Sequence, residues 1–414
     1  MSSVLYRAFK GIIQGDSKYW TWVGFLLVII LVGFGAYLRQ ADQGLIVTSM
    51  RDQVSWGFYI ANFTYLVGVA AAAVLLVIPA YLYHFKPIKE IVLFGELLAI
   101  TAVIMCIFFV VIDMGQPLRV WHMLPLLGTM NFPDSLLAWD VFVLNGYLAV
   151  NLLLVIYALW RLAAGKEYNL ARIMPLILLS IPLAISIHTV TAFLYNGLSA
   201  RPFWNASILA PRFLASAFCS GPAIMIILLQ LIRKFTKVEI DNRALFKIAE
   251  LIAYTMAINL FLLGAEVFKE FYSDSIHVAP LEYLYLGLHG NNMLTPWMWI
   301  ALGFNVSAFC IFLIPRRREN IVLLNCGAIL IVIGVYIEKG LGLIVPGFVP
   351  DVLGEIYEYW PTATEVMITA GIWAMGALLY TVAIKFTVPI YTGEFLNKLS
   401  GQQPAQVTTT KEEV

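Results

Sequence analysis

Ten apolar stretches, each long enough to cross a bilayer as a helix, leave this chain little freedom of fold. They run over about residues 19–38, 56–83, 91–113, 135–160, 173–195, 211–232, 247–268, 296–315, 320–343 and 363–386. About twenty apolar residues at a rise of about 1.5 Å each match the roughly 30 Å hydrocarbon core. Backbone in lipid must satisfy its own hydrogen bonds, which a helix does within one segment. The expected architecture is therefore an all-α polytopic membrane protein of about ten transmembrane helices. Composition agrees: charged residues make up 12% of the 414, against roughly 25% in soluble chains, and mean hydropathy is +0.84. A net charge of +1 gives no electrostatic basis for a nucleic-acid partner.

Helices six to nine echo helices two to five. The segment GELLAITAVIMCIFFVVIDMG resembles AELIAYTMAINLFLLGAEVFKE, with acidic pairs Glu96/Asp113 and Glu250/Glu266 at similar separations, and Trp139 and Asn145 correspond to Trp299 and Asn305. An offset of four helices preserves direction, so the pattern predicts a parallel repeat of two four-helix bundles with two peripheral helices. The division read this way is a cytoplasmic segment 1–18, a first helix and outer loop 19–55, and a first bundle 56–210. A second bundle 211–362, a last helix 363–386 and a cytoplasmic tail 387–414, polar and disordered from Leu399 on, follow.

Most Lys and Arg residues, among them Arg7, Lys10, Lys18, Lys86, Lys89 and Arg316 to Arg318, fall on the side that holds both termini. Only Arg39, Arg51, Arg119, Arg201, Arg212, Lys269 and Lys339 are read onto the opposite, outer side. The positive-inside rule then puts both termini in the cytoplasm and the chain in the cytoplasmic membrane. The segment before Lys18 is polar and basic and the first apolar run has spanning length, so no cleavable signal peptide is expected. Cys106, Cys219, Cys310 and Cys326 lie in apolar runs without CxxC spacing, which reads as small core residues and not as cluster ligands.

Ionisable groups at membrane depth are costly and mark candidate sites. His188, Thr191 and Tyr195 share one helix face in ISIHTVTAFLYNGLSARPFW, with Arg201 and Trp204 just beyond. Asp140, Tyr147 and Asn151 form a second stripe, and Asn259, Glu266 and Glu270 a third. Asp140 stands at a depth comparable to His188 and is expected to pair with it, while Asp113 is close enough in sequence to Arg119 to pair across the Gly-Gln-Pro turn. Tyr59 and Asn62 face the same outer level. Glu96, Tyr147, Asn151, Glu250 and Glu266 suggest a polar route for protons from the cytoplasm, the alternative being neutral acids hydrogen-bonded between helices. Outer-loop aromatics read as an interfacial belt, with partner docking as the other reading.

Two chemistries fit such groups: a quinone site, where His or Asp meets the quinone oxygens, and a proton-coupled transporter, whose site sits near the midplane. Concentration of polar groups at the outer ends of helices two to five favours the first. A haem anchor needs two axial His at matching depth. His84 lies at the cytoplasmic edge and His122, His277 and His289 in outer loops, so neither haem nor metal is expected in this chain.

The ordered motifs SWGFYIANF, DMGQPLRVWH, IHTVTAFLYNGLSARPFW and APRFLASAFCSGPA also resemble the NrfD/polysulfide reductase membrane subunit family, over about residues 15 to 390. Within it they resemble the ten-helix branch containing DsrP, the quinone-interacting subunit of the DsrMKJOP sulfite-reduction complex; siblings serve other quinone oxidoreductases. The resemblance implies a membrane subunit of anaerobic sulfur metabolism with no haem or iron–sulfur cluster of its own. It would pair with a periplasmic ferredoxin-like iron–sulfur subunit and exchange electrons with menaquinone at the outer end of the first bundle. By that analogy His188, Asp140 and Asp113 handle the chemistry and Tyr59, Asn62, Arg119 and Arg201 bind the quinone.

Overall fold

The structure, a computed structural model, describes residues 2–124, 127–166, 170–273, 277–351 and 353–394. The stretch expected to be disordered, residues 399–414, lies outside the described residues. Ten helices are long and apolar enough to span a bilayer. They are α1 (Ser17–Gln43), α2 (Phe58–Tyr81), α3 (Val92–Asp113), α4 (Leu136–Ala163) and α5 (Ala171–Asn196). α6 (Leu209–Phe235), α7 (Asn242–Ser273), α8 (Thr295–Leu313), α9 (Ile321–Lys339) and α10 (Ala363–Tyr391) complete the set. Among the described residues no β-strand forms, only an isolated bridge between Leu288 and Asn291. The chain is a multi-pass membrane protein.

The helices begin where their sequences supply caps. Asp16 caps α1 through the Tyr19 N–H, Ser135 caps α4 through the Ala138 N–H, and Thr362 with Glu365 forms a reciprocal capping box on α10. Pro79 lacks an N–H, and there the regular ladder of α2 gives way to a wider turn at Ile78–Leu82.

Packing closes two rings of four. α2, α3, α4 and α5 contact in sequence, with α5 returning to α2; α6, α7, α8 and α9 do the same, with α9 returning to α6. α1 and α10 form a separate pair laid against α3, and a short amphipathic helix, Ser2–Ile13, packs on α10 through Ala8 and a Phe9–Phe386 edge contact. The Ser2–Ile13 helix and the C-terminal end of α10 thus share one end of the bundle; the opposite end is the far end. The repeat is imperfect in detail. Trp139 and Trp299 both donate their indole N–H to a preceding loop carbonyl, that of Pro133 and of Tyr285, whereas Asn145 is exposed and Asn305 is buried.

α2 is the most buried span and joins the rings, since it also packs on α6 and α9. Small residues permit the approach: a Cβ on Gly221 of α6 would sit 2.9 Å from Ala72 Cβ and 3.1 Å from the Gly68 carbonyl. Cys106 and Cys219 are core residues as expected, but Cys310 and Cys326 are exposed on outward faces of α8 and α9. Apolar sequence marks lipid-facing positions as well as core ones, so hydropathy alone does not separate them.

Candidate functional site

Each of the three stripes is buried. His188, Thr191 and Tyr195 are at most 1% exposed, Asp140, Tyr147 and Asn151 at most 2%, and Asn259, Glu266 and Glu270 line the inside of the second ring. The partners differ from the expected ones. Asp140 accepts a hydrogen bond from Thr191 Oγ1 at 2.8 Å, and among the described residues no ion pair joins it to His188. His188 instead places Nδ1 2.6 Å from the Ala184 carbonyl of its own helix. Its Nε2 is buried without a partner, near the Val67 carbonyl but outside hydrogen-bond geometry. α2 tightens just there, since the Ala71 N–H bonds Gly68 and not Val67.

His188 lines a small cavity between the rings, of about 10 Å³. Thr64 and Gly68 of α2, Ser216 and Ser220 of α6, and Lys339 of α9 share its wall with His188. Thr64 and Tyr195 meet through their hydroxyls at 2.5 Å. Toward the far end an aromatic cluster closes the site: Trp56 and Trp204 pack on each other and each on Tyr195 and Phe348, and the Trp204 indole donates to the Leu343 carbonyl. Arg201 lies over the Phe348 ring at 5.0 Å.

The other expected binding groups lie across α2. Tyr59 donates to Gln40 Oε1 at 2.6 Å, and Gln40 donates to the Ile112 carbonyl, tying α1, α2 and α3 together. Asn62 uses its amide within the chain: Nδ2 donates to Phe58, and Oδ1 accepts from Tyr336 and from the Trp373 indole, so it crosslinks α2, α9 and α10. Asp113 is half-buried with Oδ1 unpartnered, and Arg119 is exposed in the following turn and does not pair with it. The pairing expected across the Gly-Gln-Pro turn fails because Pro117–Met123 coils into a short helix that carries Arg119 outward.

On the suggested proton route, Tyr147 donates to the Ala70 carbonyl and Asn151 to the Tyr147 carbonyl. Glu96 is 5% exposed and has no hydrogen-bond partner among the described residues. Glu250 is tied to Lys247 and Arg318 near the terminal end of α7 and accepts from Tyr254. Glu266 pairs with Arg212.

Arg212 and Lys339 correct the sequence reading, which counted both with the outer-side cations. They are 5% and 3% exposed, inside the second ring. Arg212 bonds Glu266 and, at 3.1 Å, Glu338, whose other oxygen accepts from Asn305 at 3.0 Å and Asn259 at 3.5 Å. Lys339 Nζ stands 3.9 Å from Glu338 and 5.2 Å from the centre of the Phe213 ring. A clue was available in the sequence: Glu266 and Glu338 at membrane depth each require a cation or donor, and few cations lie at matching depth. Among the described residues no group of three or more His, Cys, Asp or Glu side chains gathers as metal donors.

Comparison with known proteins adds the following. The family described as "Polysulphide reductase, NrfD" matches residues 46–350. The chain is 24% identical to the Hdr-like menaquinol oxidoreductase integral membrane subunit of Archaeoglobus fulgidus, over 90% of this chain and 94% of the relative. It is 23% identical to the menaquinone reductase integral membrane subunit of Nitratidesulfovibrio vulgaris, over 91% and 93%.

Proposed function

Because the chain belongs to the polysulphide reductase, NrfD, family, we propose that it is the integral membrane subunit of a quinone oxidoreductase complex. In this reading it exchanges electrons between menaquinone or menaquinol and an iron–sulfur subunit seated on the far end. Relatives named for menaquinol oxidation and menaquinone reduction support the substrate class. The ordered motifs support a DsrMKJOP-type complex of sulfur metabolism, and the distribution of Lys and Arg supports both termini in the cytoplasm with the iron–sulfur partner in the periplasm.

The observation that carries the reading is His188: a buried imidazole with a free Nε2 between the two rings. Quinone reduction takes two electrons and two protons. His188 holds or releases a proton at Nε2, Asp140 does so at its carboxyl group, and Thr191 orients that group. Asp113, with a bare oxygen near Tyr59, is the second acid at the same level. Tyr147, Asn151 and Glu96 continue a polar line toward the terminal end, which supports proton uptake from that side. The cavity at His188 has the room of about one water, so a quinone ring reaching Nε2 must displace side chains of its wall. Arg201 and Trp204 stand at the far-end side of that wall. The test is menaquinol-analogue oxidation or menaquinone reduction by the purified complex. His188→Ala is expected to abolish it; turnover at the wild-type rate would place the site elsewhere.

A further inference from the structure

Two buried, unpartnered nitrogens, one from each ring, belong to residues that line the same small cavity. His188 and Lys339 both line the cavity between α2, α5, α6 and α9, and neither His188 Nε2 nor Lys339 Nζ has a hydrogen-bond partner. Both side chains are at least nine-tenths buried. A buried ammonium whose N–H groups lack a hydrogen-bond acceptor is expensive. Its nearest carboxylate, that of Glu338, is at 3.9 Å, beyond hydrogen-bond length, and the aromatic face of Phe213 below it satisfies none of its N–H groups.

The proton positions follow from the acceptors. His188 Nδ1 is 2.6 Å from the Ala184 carbonyl, which can only accept, while the Val67 carbonyl near Nε2 is out of hydrogen-bond geometry; the made bond puts the ring proton on Nδ1 and leaves a lone pair at Nε2. Lys339 can only donate. A ligand that joins them must accept from the ammonium and donate to the imidazole. Water does both, and the cavity, about 10 Å³, is of the size that admits one. A third partner is present, because Ser216 spends its hydroxyl proton on the Phe213 carbonyl and keeps lone pairs for the second O–H of the water.

We propose that this cavity holds one ordered water that donates to His188 Nε2 and accepts from Lys339 Nζ. The water ties the imidazole of the first ring to the Arg212–Glu266–Glu338–Lys339 cluster of the second. Lys339 is then a positioning residue for His188. Its functional consequence rests on the quinone reading given above; the water itself does not.

The experiment is a map of the purified complex at a resolution where other buried waters are visible. A single peak about 3 Å from both nitrogens is expected, and an empty cavity beside visible waters elsewhere overturns the proposal whether or not the complex reacts with quinone. Lys339→Met is expected to lose the peak and to lower quinone turnover at least tenfold with KM little changed, while Lys339→Arg keeps a donor and recovers turnover to within about threefold. Wild-type turnover in Lys339→Met overturns the link to His188. Where Lys339→Met fails to assemble, the wild-type map decides alone.

Discussion

Arg212→Met tests the buried charge cluster directly. The guanidinium is 5% exposed and bonds two carboxylates, Glu266 and Glu338, that are themselves buried. Methionine keeps much of the length and apolar surface of the stem, so the change isolates the charge. Breaking a buried ion pair from one side costs about 3 to 5 kcal/mol, because the partner is left uncompensated. Hydrogen bonds within membrane proteins are individually smaller, about 0.6 to 1.7 kcal/mol, since the unfolded helices also find partners in the bilayer. With two carboxylates affected, and Asn259, Asn305 and Lys339 still supporting Glu338, we expect a loss of about 3 kcal/mol, a shift of more than a hundredfold in the unfolding equilibrium. The cluster divides into two pairs, so adding Glu266→Gln leaves Glu338 with Lys339 and no net excess charge. The double variant is therefore expected to regain at least half of the loss. Equilibrium unfolding in bicelles by a trapping assay measures all three forms. A single variant within about 1 kcal/mol of wild type, or a double variant as unstable as the single, would refute the account.

Three further outcomes are expected. Thr191→Val removes the donor to Asp140 and is expected to destabilise by about 1 to 3 kcal/mol, as for any buried acceptor left unpaired, with slower quinone turnover in the assembled complex; unchanged stability and rate would separate this contact from the site. Gly371→Val drives a side chain into Gly33, whose backbone lies 3.0 Å from where a Cβ would stand, and overpacking of this kind costs about 1 to 3 kcal/mol; a thermal melt of the purified protein that does not fall would show that α1 yields freely. Glu96→Gln is expected to leave quinone binding intact while slowing turnover or removing its charge movement in proteoliposomes with a potential-sensitive dye; wild-type behaviour in both would take Glu96 off the proton route.

The spans were legible because lipid imposes one solution on each apolar run, and the polar stripes were legible because a 3.6-residue period puts their members on one face. What the stripes touch was not. Arg212 meets Glu338 across 126 residues of sequence, and no periodicity within one helix carries that pairing. Arg212 and Lys339 sit near the ends of apolar runs, where hydropathy cannot tell a loop cation from one turned into a ring of helices. Asn62 shows the opposite failure: a residue type suited to hold a quinone oxygen spends both ends of its amide joining three helices. Asp140 and His188 were expected to pair because they are at comparable depth, but depth does not fix azimuth, and Thr191 takes the position expected of the imidazole.

The pairing of α1 with α10 bears on how the protein is made. Gly33 and Gly371 bring the two backbones into contact, yet 338 residues separate them, and α1 packs on α10 more extensively than on any other helix. At about 5 to 20 residues per second of synthesis, the first span waits in the bilayer for roughly twenty to seventy seconds before its mate is inserted. Throughout that interval its glycine face meets only lipid or a chaperone. The tenth span is thus the one that gives the first its mate, and a nascent chain that stops short of it leaves the first span without a lasting neighbour.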